Sequence, residues 1–156
     1  MTNTPFEQKC RFIIKLGKAL HKFGTASYRL ENHLINMAEF LDLKAQFLIA
    51  PTSLTFVIYN EDGIQESSHI ERVKPGEIDL TALALTDELV HDFVDGKICI
   101  SEAKKQLDSI RQQKSTYSQL TTFFAFGFTS TAFSILLLSA WKDILASTVL
   151  GFLVYG

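Results

Sequence analysis

Apolar residues recur at helical spacing through the first forty positions and then shift to a two-residue period. Phe6, Cys10, Ile13, Gly17 and Leu20 form one stripe with Lys9, Lys15, Lys18 and Lys22 around it, which predicts an amphipathic helix from Pro5 to Phe23, ended by Gly24. Leu30, Leu34, Met37 and Leu41 repeat the spacing and predict a second helix from Thr25 to Leu43. Beyond Pro51, the β-branched and aromatic run Leu54 to Tyr59 predicts a strand, and Asn60-Glu-Asp-Gly63 is a turn signal. Glu66 to Lys74 is a more polar returning strand, exposed on one face, and Phe47 to Ala50 is a short third candidate. Pro75-Gly76 breaks the sheet, and Asp79 is placed to cap a helix that runs to Asp95 and stops at Gly96. Ser101 caps a last helix, Glu102 to Gln113, with Leu107 and Ile110 inward. The expected class is α+β, in the order α-α-β-β(-β)-α-α.

The pattern then loses its polar half. Lys and Arg number 15 and Asp and Glu 17, yet residues 115–156 hold only Lys142 and Asp143 of these. A domain over 1–114 and a transmembrane region over 115–156 are therefore expected. Leu120 to Trp141 as one helix measures about 33 Å at 1.5 Å per residue, enough for a hydrocarbon core of about 30 Å. Tyr117 and Trp141 flank it as interfacial rings. Lys142-Asp143 is a candidate tight turn into a second run, Ile144 to Gly156, which extends only about 20 Å. The expectation is an all-α transmembrane hairpin with an incomplete second span, so that the chain is the front part of a larger machine or is completed by another chain. Lys104, Lys105, Arg111 and Lys114 precede the span and Lys142 alone follows it, which places the first domain in the cytoplasm. Within the span, Thr121, Thr122, Thr129, Ser130, Thr131, Ser134 and Ser139 are polar but uncharged. Small pairs four apart, Gly127 with Thr131 and Ser130 with Ser134, permit close helix packing. Thr129, Ser130 and Ser134 are alternatively candidates for a polar pathway. Asp143 is a candidate proton-coupling group or an interfacial cap.

Composition removes several classes. A net charge of −2 argues against a strongly basic nucleic-acid binder. Cys10 and Cys99 have no ligand spacing and suit small apolar positions in a reducing compartment. The first fifteen residues have no apolar run of signal-peptide length. Asp87, His91 and Asp95 share a helix face by their spacing, but a solvated face explains them better than a metal site. His21, His33 and His69 are scattered, and no nucleophile elbow, phosphate loop, HExxH or CxxC occurs. Arg29 and Glu31 suit structural ion pairs better than catalysis. No metal and no cofactor is implied.

Several runs are familiar together. Gly24-Thr-Ala-Ser-Tyr-Arg-Leu-Glu31 resembles the G-x-x-(S/T)-x-R-x-E signature of the threonine/serine exporter family. Phe47-Leu-Ile-Ala-Pro-Thr-Ser53 resembles its strand entry, and Arg72-Val-Lys-Pro-Gly-Glu-Ile-Asp-Leu80 its R-V-x-P-G-G-I-D-L stretch, with Glu77 in place of a glycine. Gly96 to Ala103 with Leu107-Asp108, and Trp141-Lys-Asp143 with Gly151, are similar to later family segments. The resemblance covers nearly the whole chain from about residue 10. It implies a polytopic inner-membrane secondary exporter of small polar metabolites, threonine and serine first, without an ATP site. A related two-component system implies C4-dicarboxylate (succinate) export as the alternative, with a second membrane subunit. The expected partners are the lipid bilayer, a small-molecule substrate and a homo-oligomer or second subunit, with no nucleic acid. Arg29, Glu31, Arg72 and Asp79 are the charged positions that match the motifs, as candidates for substrate binding or domain contacts. A membrane-tethered hydrolase and a non-transporting scaffold are the readings from other classes.

Overall fold

A computed structural model describes residues 5–113, 119–138 and 140–155. The chain divides into two compact units, Met1–Gln113 and Lys114–Gly156. The first unit runs α1 (Pro5–Lys22), α2 (Ser27–Phe40), β1 (Leu43–Ala50), β2 (Ser53–Asn60), β3 (Glu66–Arg72), α3 (Leu80–Val94) and α4 (Ile100–Gln112). The second contains α5 (Gln119–Leu136) and α6 (Trp141–Tyr155).

The strands form an antiparallel meander in the order β1-β2-β3, with Phe47 opposite Phe56 and Phe56 opposite His69. Alternation sends Leu54, Phe56 and Ile58 of the central strand into the core, all buried. Helix α1 is buried over a wider arc than one stripe: Phe12, Leu16, Ala19 and His21 join Cys10, Ile13, Gly17 and Leu20. It is the central helix, touching α2, α4 and β2. Gly17 makes this possible, because a Cβ there would lie 2.8 Å from the Phe56 ring and 3.2 Å from Leu34. Phe12 and Phe93 tie α1 to α3 through rings 5.0 Å apart.

Two boundaries differ from the periodicity. Helix α2 stops at Phe40, and strand β1 starts at Leu43, because Asp42 takes a left-handed conformation (φ 56°) that turns the chain out of the helix. The last helix of the unit begins at Ile100 with Cys99 at its N-cap position, and Ser101 lies inside it, 2.9 Å from the Cys99 sulfur. Cys99 is exposed, so the apolar role expected for both cysteines holds only for Cys10. Burial pushes the Cys10 thiol up, while the Ser101 hydrogen bond lowers that of Cys99.

The transmembrane hairpin expected over 120–141 and 144–156 is overturned. Among the described residues no helix is long and apolar enough to cross a membrane. Helix α5 has 18 residues, about 27 Å, and ends in a turn in which Leu138 takes φ 54°; α6 has 15 residues. The uncharged run is long enough for one spanning helix, but the break before Trp141 divides it. The hydroxyls of Thr121, Thr122, Thr129, Ser130, Thr131 and Ser134 dilute what remains. Tyr117 and Ser139 lie outside the described residues.

The two helices pack closely. Gly127 sits against the Phe152 ring and Gly151 against Ser130, where side chains would block the approach. The Phe123 and Phe152 rings stack at 4.7 Å. Thr131 Oγ1 lies 2.8 Å from the Gly127 carbonyl oxygen and 2.7 Å from Thr148 Oγ1, which in turn lies 2.7 Å from the Ile144 carbonyl oxygen. Two hydroxyl protons are thus shared among three short contacts.

One ion pair of the first unit has a measurable pH signature. Lys18 and then His69 hydrogen-bond Glu71, at 2.6 and 2.9 Å, and hold its carboxyl below the ordinary value of 4.5. A carboxyl lowered on folding stabilises above its unfolded pKa, and that contribution is lost as pH falls through the folded value. Glu71→Gln is therefore expected to cost about 0.5 kcal/mol near neutrality and nothing in strong acid, because the pair is partly exposed. Urea midpoints across pH 3–7 check this; a constant difference would exclude the pair as its source.

Candidate functional site

The run Gly24 to Glu31 forms the turn after α1 and the first turn of α2. Gly24 takes φ +77°, and its Cα faces the backbone of Ile78: a Cβ would lie 2.9 Å from Ile78 Cα and N. Two backbone bonds pin the crossing, Glu77 N–H to the Lys22 carbonyl and Asp79 N–H to the Phe23 carbonyl, both 3.2 Å. Gly76 approaches closer still, against the His21 and Lys22 carbonyls. The two motifs that lie about fifty positions apart in sequence are therefore joined in space.

Their junction walls an open groove of about 640 Å³ between α1, α2 and α3. Leu16, Leu20, Ile78, Leu80, Leu83 and Val90 supply its apolar surface. Its polar groups are Thr25, Tyr28, Arg29, His33, Thr86 and Asp87. Thr86 is committed, donating to the Ala82 carbonyl at 2.7 Å. Thr25 Oγ1 is buried with no hydrogen-bond partner among the described residues. The groove thus presents a cation and an anion over an apolar floor, which suits a small molecule with both charge signs.

Of the charged candidates, Arg29 alone lines this groove. Arg29 and Glu31 form no ion pair among the described residues, contrary to the structural pairs expected of them. Glu31 is half-buried on α2, and Arg72 is exposed at the end of β3, opposite Ser53. Asp79 caps α3, accepting from Ala82 N–H at 2.9 Å, and so orients the helix that carries Asp87. Spacing alone groups Asp87 only with His91 and Asp95. In the fold, His91 lies 3.7 Å from Asp95, and Lys97 answers Asp92 and Asp95 at 2.8 and 3.1 Å. No metal-binding group of three His, Cys, Asp or Glu occurs among the described residues. The contribution of Asp87 to the groove has no signal in spacing, because it arrives from α3, far along the chain from Arg29.

In the second unit, Thr129, Ser130 and Ser134 line a shallow cavity of about 430 Å³ with Ser147 and Gly151. Ser134 is buried there. Asp143 is exposed in the first turn of α6, where a carboxylate favours the helix dipole.

A family model described as "Putative threonine/serine exporter" matches residues 11–156. An uncharacterized protein of Schizosaccharomyces pombe is 28% identical over 148 residues, covering 94% of this chain and 19% of that protein. A protein named pheromone-regulated membrane protein 10 is 29% identical over 124 residues in Pichia sorbitophila, covering 79% of this chain and 12% of its own length. Its counterpart in Yarrowia lipolytica is 28% identical over 150 residues, covering 94% and 12%. The chain therefore spans less than a fifth of the length of these curated relatives. No solved structure matches.

Proposed function

The chain belongs to the threonine/serine exporter family, and on that premise we propose that it is part of an inner-membrane secondary transporter exporting small polar metabolites, threonine and serine first. The carrying observation is that the family signature folds onto the groove, with Arg29 and Asp87 on its wall. The Arg29 guanidinium suits a substrate carboxylate and the Asp87 carboxylate suits its ammonium group. In this reading the first unit is a cytoplasmic vestibule that samples substrate ahead of the transport path. Glu31 and Arg72 serve contacts with other parts of the carrier, and Asp79 positions α3.

Membrane association is supported by the relatives that are named membrane proteins. It is also supported by the outward apolar side chains of the second unit, Phe124, Phe128, Phe133, Leu145, Leu150 and Leu153 among them. Such a surface needs lipid or protein to cover it. Thr129, Ser130 and Ser134 give this unit one polar line, and Asp143 lies in the first turn of α6, where its charge favours the helix dipole.

Cells lacking the complete gene are expected to retain threonine and serine several-fold above the parent when loaded with peptides containing them. Retention of a C4-dicarboxylate instead would transfer the assignment to the alternative substrate class. Unchanged efflux of all three would remove the exporter reading and leave a scaffold.

A further inference from the structure

The first unit carries a second cavity, of about 400 Å³, between the C-terminal half of α1, the connection from β3 to α3, and the end of α4. Lys18, His21, Lys22, Lys74 and Arg111 line it against one acidic side chain, Glu77. Their charges are unequally compensated. Lys18 is answered by Glu71 at 2.6 Å. Lys22 donates to the Arg111 carbonyl at 2.7 Å, a neutral partner that leaves its charge in place. Arg111 reaches Asp108 only at 4.0 Å, and Lys74 has no ion pair among the described residues.

Two nitrogens in this wall are also unused. His21 is only 8% exposed, and its Nε2 has no hydrogen-bond partner among the described residues. The Arg111 Nε–H is buried in the same condition. Buried polar nitrogens without partners are costly, and two residues that carry them line one cavity with three weakly compensated cations, an arrangement that an oxyanion relieves. We propose that this cavity binds a small oxyanion, a phosphate or carboxylate group, independently of the export reading.

The placement gives such a ligand leverage. Pro75, Gly76 and Glu77 form one wall of this cavity, and Ile78 and Leu80 of the same connection form part of the groove wall. An anion joining Lys22, Lys74 and Arg111 ties this connection to α1 and α4, so its occupancy bears on the groove.

The test uses the full chain in detergent micelles with isotope-labelled histidine and arginine, titrated with inorganic phosphate and separately with malonate at constant ionic strength held by sodium chloride. The expected result is a saturable shift of the His21 ring and Arg111 Nε–H signals. Lys74→Glu reverses one exposed charge without touching the core and is expected to weaken the binding roughly tenfold. Saturation by phosphate alone identifies a phosphate site, by malonate alone a carboxylate site, and by both a general oxyanion site. No saturable shift with either anion, or equal affinity in Lys74→Glu, overturns the proposal.

Discussion

Gly24→Ala is expected to speed hydrogen exchange of the α2 and α3 amides by about a hundredfold, a loss of about 3 kcal/mol in local stability. Two costs combine at this position. A φ of +77° strains any residue with a Cβ by about 1–2 kcal/mol. The new methyl also meets the Ile78 backbone at 2.9 Å, which a rotamer change cannot relieve, and overpacking of this kind costs about 1–3 kcal/mol. Gly63 separates the two terms. It takes φ +70°, but nothing lies within 4 Å of its added Cβ, so Gly63→Ala should cost only the strain. Equal effects at both positions would show that the Gly24–Ile78 crossing does not hold the two motifs together. Exchange resolved by residue is the right measurement, since a chain of two units need not unfold in one step.

The other large effect is in the core. Phe56→Ala is expected to cost about 3–5 kcal/mol, a large share of the roughly 5–15 kcal/mol that holds a typical domain. The ring is fully buried, packs edge-on to Phe47 at 5.8 Å, and occupies the space opened by Gly17. That contact predicts a specific coupling. Gly17→Ala pushes a methyl into the Phe56 ring and should destabilise the otherwise unchanged protein. In the Phe56→Ala background the methyl enters the vacated space, so the double variant should be less damaged than the sum of the two. Residue-resolved hydrogen exchange of the α1 and β2 amides in the four proteins gives the coupling; strict additivity would mean that α1 does not rest on β2 through this pair.

Local structure is largely legible in the sequence because it depends on local spacing. The stripe on α1, the Leu30, Leu34, Met37 and Leu41 repeat, the alternation in β2 and the Asp79 cap each express a period or a short-range hydrogen bond. Differences fall where a single residue overrides a pattern. Asp42 turns the chain after α2, which periodicity alone carries to Leu43. In the C-terminal region, counting uncharged residues implies one long helix from Leu120 to Trp141, because composition carries no information about a break. The turn containing Leu138 leaves 18 and 15 residues on either side of it.

The groove is only partly visible in the sequence. Arg29 is identifiable from the signature, but nothing in the spacing ties Asp87 to it. Helical periodicity groups Asp87 with its own helix neighbours, and no pattern distinguishes Thr25 from any other turn residue. His21, one of several scattered histidines in the sequence, is buried, and its partners in the cationic cavity come from α4 and from the connection after β3.

The sequence by itself determined the family, the α+β set of elements and the main apolar stripe of α1 and α2, since motif order and periodicity are properties of the chain alone. Only the tertiary structure decided that Gly24 lies on Ile78, that Arg29 and Asp87 share a groove, and that no described helix suffices to cross a membrane. Contacts between distant segments depend on where glycines let backbones meet and where turns end helices, and neither is recorded in the spacing of apolar residues.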